Sequence, residues 1–424
     1  MSMRLIRSRR FSPMFGAMAL GAFNDNFYKN ALIVLITYRL AAESGHDAAA
    51  LISIASASFT APFFLFSSLA GDIADKWSKS YWVRVLKIVE MVLYAAAGLA
   101  LLNQHLYAMM IALFLLGTLA SFYGPVKYAI LPELLPRDQL LRATSYIEGG
   151  TYVSILLGSL LGAVLVMLDQ GALLVSGVMG LIGALGILCA WFVPRTEPAQ
   201  PQLVLRYNLI KSIWSMITTA GRSRIILSAI LGISWFWTIG AMYLTQLPIF
   251  TKEVVGANER VVSLYTAIFT ISIALGSIAC ARLAERVRPD VLSPLALFGV
   301  FLTGIDLCIT GYFMPTPATE TLIGLEDYFH GFAHWRIMAD LAVMAFCGGL
   351  FIVPLYTVLQ TDSAEGERAR IIASNNVVNA IFIAGSQLVA AGLYALGLNV
   401  INVLLVFALL NLPFCYRLWR QRIG

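Results

Sequence analysis

Residues 71–79 have the sequence GDIADKWSK, and residues 281–286 have the sequence ARLAER. The two stretches begin 210 positions apart and share one pattern: a small residue, a charged residue, an aliphatic residue, alanine, an acid and a base. A second match joins Pro125 and the run 142–145 to Pro354 and the run 372–375. This repetition predicts a chain built from two similar halves. Such duplication is typical of secondary transporters.

The composition places both halves in a membrane. Of the 424 residues, 59% are hydrophobic and only 12% are charged, whereas a soluble domain has about 25% charged residues. This excludes a soluble enzyme, a disordered protein and a nucleic-acid-binding protein, even at a net charge of +6. The five cysteines and four histidines show no metal-ligand spacing, so we expect no disulfide framework, no metal site and no cofactor.

Twelve apolar segments are long enough to cross a bilayer, which takes about 20 residues. They cover residues 14–40, 51–70, 81–102, 106–130, 143–168, 171–193, 225–249, 260–281, 292–314, 337–359, 371–394 and 398–416. We therefore predict an N-terminal six-helix half (1–193), a linker (194–224) and a C-terminal six-helix half (225–424). Within the linker, residues 203–217 have apolar residues at helical spacing and predict a helix on the membrane surface.

The distribution of basic residues predicts the orientation. If the N-terminus is cytoplasmic, 23 of the 29 Lys and Arg residues fall on the cytoplasmic side and four on the opposite side. Cytoplasmic loops carry such an excess of Lys and Arg. We therefore expect an even number of spans with both termini in the cytoplasm.

GDIADKWSK resembles the loop motif between helices two and three of the major facilitator superfamily, in which Gly-x-x-x-Asp-Arg/Lys precedes further basic residues. Residues 21–32 and 124–165 are similar to the bacterial lysophospholipid transporter family, which includes the transporter domain of fused acyltransferase/acyl-protein ligase proteins. One departure lies in residues 236–250, where stand-alone family members carry a basic residue and this chain has none.

The resemblance implies an all-α major facilitator fold of twelve transmembrane helices in two pseudo-symmetric halves. It also implies a transporter or flippase that moves lysophospholipids from the outer to the inner leaflet of the bacterial inner membrane by alternating access. We expect a monomer that is not an enzyme, with a lysophospholipid substrate, surrounding membrane lipids and a cytoplasmic acyltransferase as its partners.

Helix one carries charges in the middle of an apolar segment. A charge at the bilayer centre costs about 3 kcal/mol on insertion scales, so Asp25 and Lys29 are predicted to be functional. They are four positions apart with the acid first, which places them on one helix face. Asn26 and Asn30 form a parallel polar stripe, and Phe27 offers an apolar contact. The alternative is a self-neutralising pair that packs helices together.

Further candidates lie in helices four, five, seven and eleven. Lys127, next to Tyr128, either binds substrate or extends to the interface. Glu148 is a proton carrier, a partner of Lys127 or an interface residue, and burial would favour the first role. The polar residues Asn375, Asn379 and Gln246 complete the predicted substrate-binding set, with helix–helix hydrogen bonding as the alternative.

The repeated motif predicts gating. Asp75 can cap the start of a neighbouring helix and so hold the halves in one state. The predicted gating residues are Gly71, Asp75, Lys76 and Lys79, with Glu285 and Arg286 in the second copy of the motif.

Three more acids, Glu90, Asp306 and Asp340, lie in apolar surroundings. Because Glu90 closely follows Arg84 and Lys87, a cytoplasmic ion pair is the expected explanation for it. Asp306 is kept as a second-rank functional candidate.

Two other functions stay open. A proton- or cation-coupled major facilitator transporter of another small solute or drug would use Asp25 or Glu148 to carry the coupling proton. An intramembrane enzyme would need paired metal ligands or a nucleophile with a base, and the sequence shows neither pattern.

Overall fold

The computed structural model describes residues 3–37, 48–205, 218, 221, 223–315, 322–364 and 366–421. This part of the chain is almost entirely helical, and its β pairing is one isolated bridge between Ala257 and Ile323. Within it, 11 helices are long and apolar enough to cross a membrane. The prediction of an all-α polytopic membrane protein is confirmed.

Twelve long helical segments follow the predicted ones to within a few residues. They are α1 (Ser12–Leu35), α2 (Ala48–Lys76), α3 (Lys79–Leu102), α4 (Leu106–Ala129), α5 (Arg137–Leu165), α6 (Gly171–Trp191), α7 (Arg224–Phe250), α8 (Glu259–Leu283), α9 (Pro289–Tyr312), α10 (Phe332–Thr361), α11 (Arg368–Ala395) and α12 (Val400–Leu409), which α13 (Asn411–Gln421) continues. Only α1 is not among the eleven apolar spans, because its middle contains the sequence Asn-Asp-Asn and two further polar residues.

Shorter elements complete the described chain. Single helical turns occur at Met3–Ile6, Leu131–Leu134 and Leu325–Tyr328, and α7 ends in a π-helical turn at Thr251–Val255. The predicted surface helix at 203–217 lies almost wholly outside the described residues.

The helices form two compact units. The first comprises Met1–Ala143, Gly150–Ser223 and Leu359–Val377, and the second comprises Thr144–Gly149, Arg224–Val358 and Val378–Gly424. The first unit thus contains α1 to α4, α6, most of α5 and the beginning of α11. The second contains α7 to α9, α12, α13 and most of α10 and α11.

The packing of α1 in the first unit fixes the direction of its polar face. Tyr28 is fully buried and donates a hydrogen bond to the Met109 carbonyl of α4 at 2.9 Å. On another side of α1, a Cβ added to Gly162 of α5 would stand 2.9 Å from the Phe27 carbonyl carbon, and one added to Gly158 would stand 3.2 Å from the Phe27 nitrogen. Only small residues let two helix backbones approach so closely. The rotation of α1 is therefore set by contacts on both sides.

In the second unit, small residues also allow helix backbones to approach closely. Ser277 and Gly276 of α8 lie against the α10 backbone, and a Cβ on Gly276 would stand 2.8 Å from the Phe346 carbonyl carbon. On α7, the Trp235 indole donates to Asn411 Oδ1 at 2.9 Å and stacks on a phenylalanine of α13 at 4.3 Å. These contacts hold α7, α8, α10 and α13 at fixed spacings.

Candidate substrate-binding site

The polar face of α1 meets a buried ion pair on α3. Lys87 Nζ lies 2.6 Å from Glu90 Oε2, and Lys87 as a whole is only 2% exposed. The pair packs on Gly21 of α1, where an added Cβ would stand 2.5 Å from Lys87 Nζ. Asp25, one turn further along α1, interacts electrostatically with both members of the pair. Two acids and one base therefore meet inside the first unit.

Polar and aromatic side chains surround this charged cluster. The Tyr123 ring lies 4.8 Å from Lys87 Nζ, a distance at which a cation is attracted to a ring face. Tyr94 lies beside Glu90 and Asn24. Within the described chain, the Tyr123 hydroxyl and Asn24 Oδ1 have no hydrogen-bond partner although both are buried. Buried polar groups in this state cost about 1–3 kcal/mol each, so a polar ligand would be stabilised here.

Lys29 does not form an ion pair with Asp25. Its ammonium group lies 5.4 Å from the centroid of the Phe59 ring on α2, while its interaction with Asp25 is an electrostatic one through space. Both side chains are partly exposed. One face of α1 therefore presents an acid and a base that do not form an ion pair with each other.

Three other predicted residues of α1 take part in packing. Asn26 Nδ2 donates to the Ala22 carbonyl, and Asn30 Nδ2 donates to the Asn26 carbonyl and to Ser159 Oγ of α5, all at 2.9 Å. Phe27 is fully buried in the hydrophobic core. These contacts hold α1 against its neighbours, and a role in substrate binding stays a prediction for all three.

Lys127 and Glu148 belong to different compact units. Lys127 Nζ donates to Thr151 Oγ1 at 2.9 Å and lies 5.0 Å from the Tyr128 ring centroid. Glu148 is buried, in the short part of α5 that packs with the second unit. Its neighbour Gly149 lies against α8, with no room for a side chain.

The predicted amides of α7 and α11 differ in their hydrogen bonding. Asn379 Oδ1 accepts a hydrogen bond from Ser234 Oγ at 2.7 Å, and Gln246 Oε1 accepts one from the Tyr394 hydroxyl. These two amides join α7 to α11. Asn375 is fully buried, and neither atom of its amide has a hydrogen-bond partner among the described residues.

The end of α2 caps the beginning of α11. The two carboxylate oxygens of Asp75 accept hydrogen bonds from the backbone N–H groups of Ala369 and Arg370, each at 3.1 Å. Arg370 Nε also lies 3.0 Å from Asp72 Oδ1. The first N–H groups of a helix have no partner within the helix, and a negative charge is favourable there. Asp75 supplies an acceptor for each of these two N–H groups.

Close packing accompanies this cap. A Cβ on Gly71 would stand 2.7 Å from the Ala373 Cβ and 3.0 Å from the Arg370 Cα, so only glycine allows α2 and α11 to approach this closely. Lys79, at the start of α3, forms a buried ion pair with Glu133 at 2.6 Å.

The other predicted gating residues have more exposed positions. Lys76 is half-buried at the end of α2, whereas Glu285 and Arg286 are exposed in the turn that follows α8. Their role in gating stays a prediction.

Sequence reasoning missed Lys87 as a site residue. The predicted ion pair of Glu90 with Lys87 is present, and Lys87 is buried in it. The available signal was the i,i+3 spacing of Lys87 and Glu90 within an apolar segment, which indicates an ion pair inside the helical bundle. Asp306, the second-rank candidate, forms an ion pair with Arg336 across α9 and α10. Arg336 is one of the four Lys and Arg residues that the sequence predicts on the side opposite the cytoplasm.

The model of the Major Facilitator Superfamily matches residues 15–414. The chain belongs to the Major Facilitator Superfamily. Among its relatives is the lysophospholipid transporter LplT of Klebsiella pneumoniae subsp. pneumoniae, which is 25% identical over 387 residues, covering 91% of this chain and 87% of that protein. LplT of Salmonella typhimurium is 26% identical over 402 residues, covering 93% and 90%. The resemblance found in the sequence is confirmed.

Solved structures of the superfamily share the fold. The E. coli fucose:proton symporter FucP superposes with a TM-score of 0.71 at 12% identity, over 98% of both chains. The human organic anion transporter MFSD10 superposes with a TM-score of 0.71 at 16% identity, over 97% of this chain and 99% of that one. At such identities the likeness concerns the fold alone. The prediction of a twelve-helix major facilitator fold is confirmed.

Proposed function

We propose that this major facilitator protein moves lysophospholipids from the outer to the inner leaflet of the bacterial inner membrane by alternating access. The observation that carries the proposal is the polar face of α1, where Asp25 and Lys29 are both inside the helical bundle and not paired with each other. Relatives that carry the lysophospholipid transporter name over about nine-tenths of the chain support it.

The chemistry of the site matches a zwitterionic headgroup. The phosphate of lysophosphatidylethanolamine would pair with Lys29, and its ammonium group would pair with Asp25. Hydrogen bonds between charged partners are about twice as strong as neutral ones. Lys87 and Glu90 form an ion pair with each other next to Asp25, so Lys87 is not paired with Asp25. Apolar side chains on α2, including Phe59, offer a surface to the acyl chain.

The cap on α11 supplies a cytoplasmic gate in this proposal. The excess of Lys and Arg in the α2–α3 loop and its neighbours supports a cytoplasmic position for this end of the helices and for both termini. Opening towards the cytoplasm would break the two hydrogen bonds that Asp75 accepts and separate Gly71 from Ala373. Both contacts reform when the gate closes.

Translocation in right-side-out inner-membrane vesicles tests the proposal. A fluorescent lysophosphatidylethanolamine is added outside, and the fraction that becomes protected from a membrane-impermeant quencher is followed. Wild type is expected to protect the lipid, whereas Asp25→Asn and Lys29→Ala are expected to lose this activity. Asp169→Asn and Lys252→Ala remove one charge each at exposed loop or helix-end positions and serve as matched controls.

Each other outcome has a definite meaning. If wild type and both α1 variants protect the lipid equally, α1 does not bind the headgroup. No protection by wild type would reject lysophospholipid transport and favour a coupled transporter of another solute, to be sought under an imposed proton gradient.

A further inference from the structure

The residues before α1 form a short, folded N-terminal arm (residues 3–11). Leu5 is only 7% exposed and Phe11 is fully buried, so both ends of the arm are anchored in the first unit. The Ser8 carbonyl accepts hydrogen bonds from the backbone N–H groups of Phe11 and Ser12 at 3.0 and 2.9 Å. These contacts fix the backbone between the two anchors and continue it into α1.

The arm carries positive charges that the protein does not neutralise. Arg7, Arg9 and Arg10 are exposed, and within the described part of the chain none of them forms an ion pair. Like charges so close together repel one another, and a negatively charged ligand would relieve this repulsion. The general preference for Lys and Arg on the cytoplasmic side accounts for basic residues before α1, but it does not require a binding groove beside them.

An open groove of about 780 Å³ lies between the arm, the start of α1 and the end of α6. Sites for small ligands have volumes of about 300–1,000 Å³. Arg9 and Ser12 line one side of the groove, and Leu188 and Phe192 of α6 line the other. Leu188 and Phe192 are 54% and 66% exposed. A basic, polar wall therefore faces an apolar wall, which is the arrangement that suits an amphiphile with a negatively charged headgroup.

The groove is separate from the candidate substrate-binding site. One turn into α1 from Ser12, the two helices are in contact, because a Cβ added to Gly16 would stand 2.9 Å from Cys189 Sγ of α6. Asp25 lies 13 residues further along α1 than Ser12, which corresponds to about 20 Å at 1.5 Å per residue. A ligand in the groove therefore does not reach Asp25 with its headgroup.

We infer that this groove binds an anionic phospholipid of the surrounding membrane, with the arginines of the arm at its phosphate and the α6 side chains Leu188 and Phe192 along an acyl chain. Clusters of basic residues next to the end of a transmembrane helix attract anionic lipids. The planar guanidinium group of arginine can pair with a phosphate through two N–H groups. A zwitterionic phospholipid carries its own cation and neutralises the arm less well. The inference does not depend on which substrate the protein moves.

Native mass spectrometry of the purified full-length protein tests the site. Phosphatidylglycerol and phosphatidylcholine with identical acyl chains are added in equal amounts, and wild type should retain phosphatidylglycerol in excess. Arg9→Gln should lower the ratio of the two lipids about fivefold, which is the contribution of one basic residue near an anionic lipid. The triple variant Arg7→Gln/Arg9→Gln/Arg10→Gln should lower it about 25-fold or more. Arg224→Gln removes the same charge from an exposed position at the start of α7 and should keep the wild-type ratio.

Photolabelling locates the bound lipid. Phosphatidylglycerol with a photoactivatable group in one acyl chain should label the α6 peptide that contains Leu188 and Phe192, and the triple arginine variant should lose most of this label. Equal retention of the two lipids by wild type would overturn the inference. A wild-type ratio in the triple variant, or a label that avoids α6, would also overturn it. Retention of phosphatidylglycerol without lysophospholipid transport rejects the proposed function and keeps the groove, whereas transport without this retention does the reverse.

Discussion

Replacement of Asp75 by alanine is expected to release the beginning of α11. Asp75 accepts hydrogen bonds from two backbone N–H groups of α11 at 3.1 Å each. Loss of a helix cap costs about 0.5–2 kcal/mol, and the upper end applies because Asp75 is fully buried and accepts two hydrogen bonds. A change of about 2 kcal/mol alters an equilibrium constant about 30-fold. The capped arrangement should therefore lose about this factor relative to the open one.

Cysteine alkylation measures this change. Ala373 is fully buried beside Gly71, so Ala373→Cys in a background without the five native cysteines should react slowly with a membrane-impermeant maleimide. Asp75→Ala should raise the rate between tenfold and 30-fold, and Asp75→Asn should raise it less because the amide oxygen still accepts one hydrogen bond.

Asp362 provides the matched control. It is an exposed acid a few residues before α11 that accepts a hydrogen bond from Thr361 at 2.8 Å, so Asp362→Ala should leave the rate unchanged. Equal rates in wild type and Asp75→Ala would refute the capping argument, and so would an equal increase in Asp362→Ala.

Three further predictions concern the first unit. Gly71→Ala should raise the same alkylation rate at position 373, because its Cβ would stand 2.7 Å from the Ala373 Cβ; a wild-type rate would contradict this. Lys87→Met should lower the free energy of unfolding by about 3–5 kcal/mol, because it leaves a buried acid uncompensated. The double variant Lys87→Met/Glu90→Leu should regain most of this stability, which thermal unfolding would measure. A double variant as unstable as Lys87→Met would refute the pairing. Gly21→Ala should displace Lys87 Nζ, 2.5 Å from the added Cβ, and reduce lipid protection in vesicles, while unchanged protection would show that the contact is dispensable.

The helices could be predicted from the sequence because membrane spans need long apolar runs, and the bilayer imposes that length on each of them. The loop motif indicated the superfamily, and it predicted that Asp75 caps a neighbouring helix without indicating which helix. That partner, the start of α11, lies 294 residues away. Only a three-dimensional structure could join the two.

The partners of the charged residues were harder to predict. Asp25 and Lys29 were predicted because they are charged residues in an apolar segment, but the contact of Lys29 with Phe59 joins α1 to another helix. Lys87 was expected only as a cytoplasmic partner of Glu90, because the two residues lie close together in the sequence. Its burial depends on the missing side chain of Gly21. A single sequence does not reveal such a contact between helices.

Equilibrium binding of labelled lysophosphatidylethanolamine to the purified protein in nanodiscs tests the central claim most directly. Wild type should bind the lipid, and Asp25→Asn and Lys29→Ala should each weaken binding at least tenfold, because removal of one partner of a desolvated charge pair costs about 2–5 kcal/mol. Asp169→Asn and Lys252→Ala should bind as wild type does. Failure of wild type to bind, or equal affinity in the α1 variants and the controls, would contradict the claim that α1 holds a lysophospholipid headgroup.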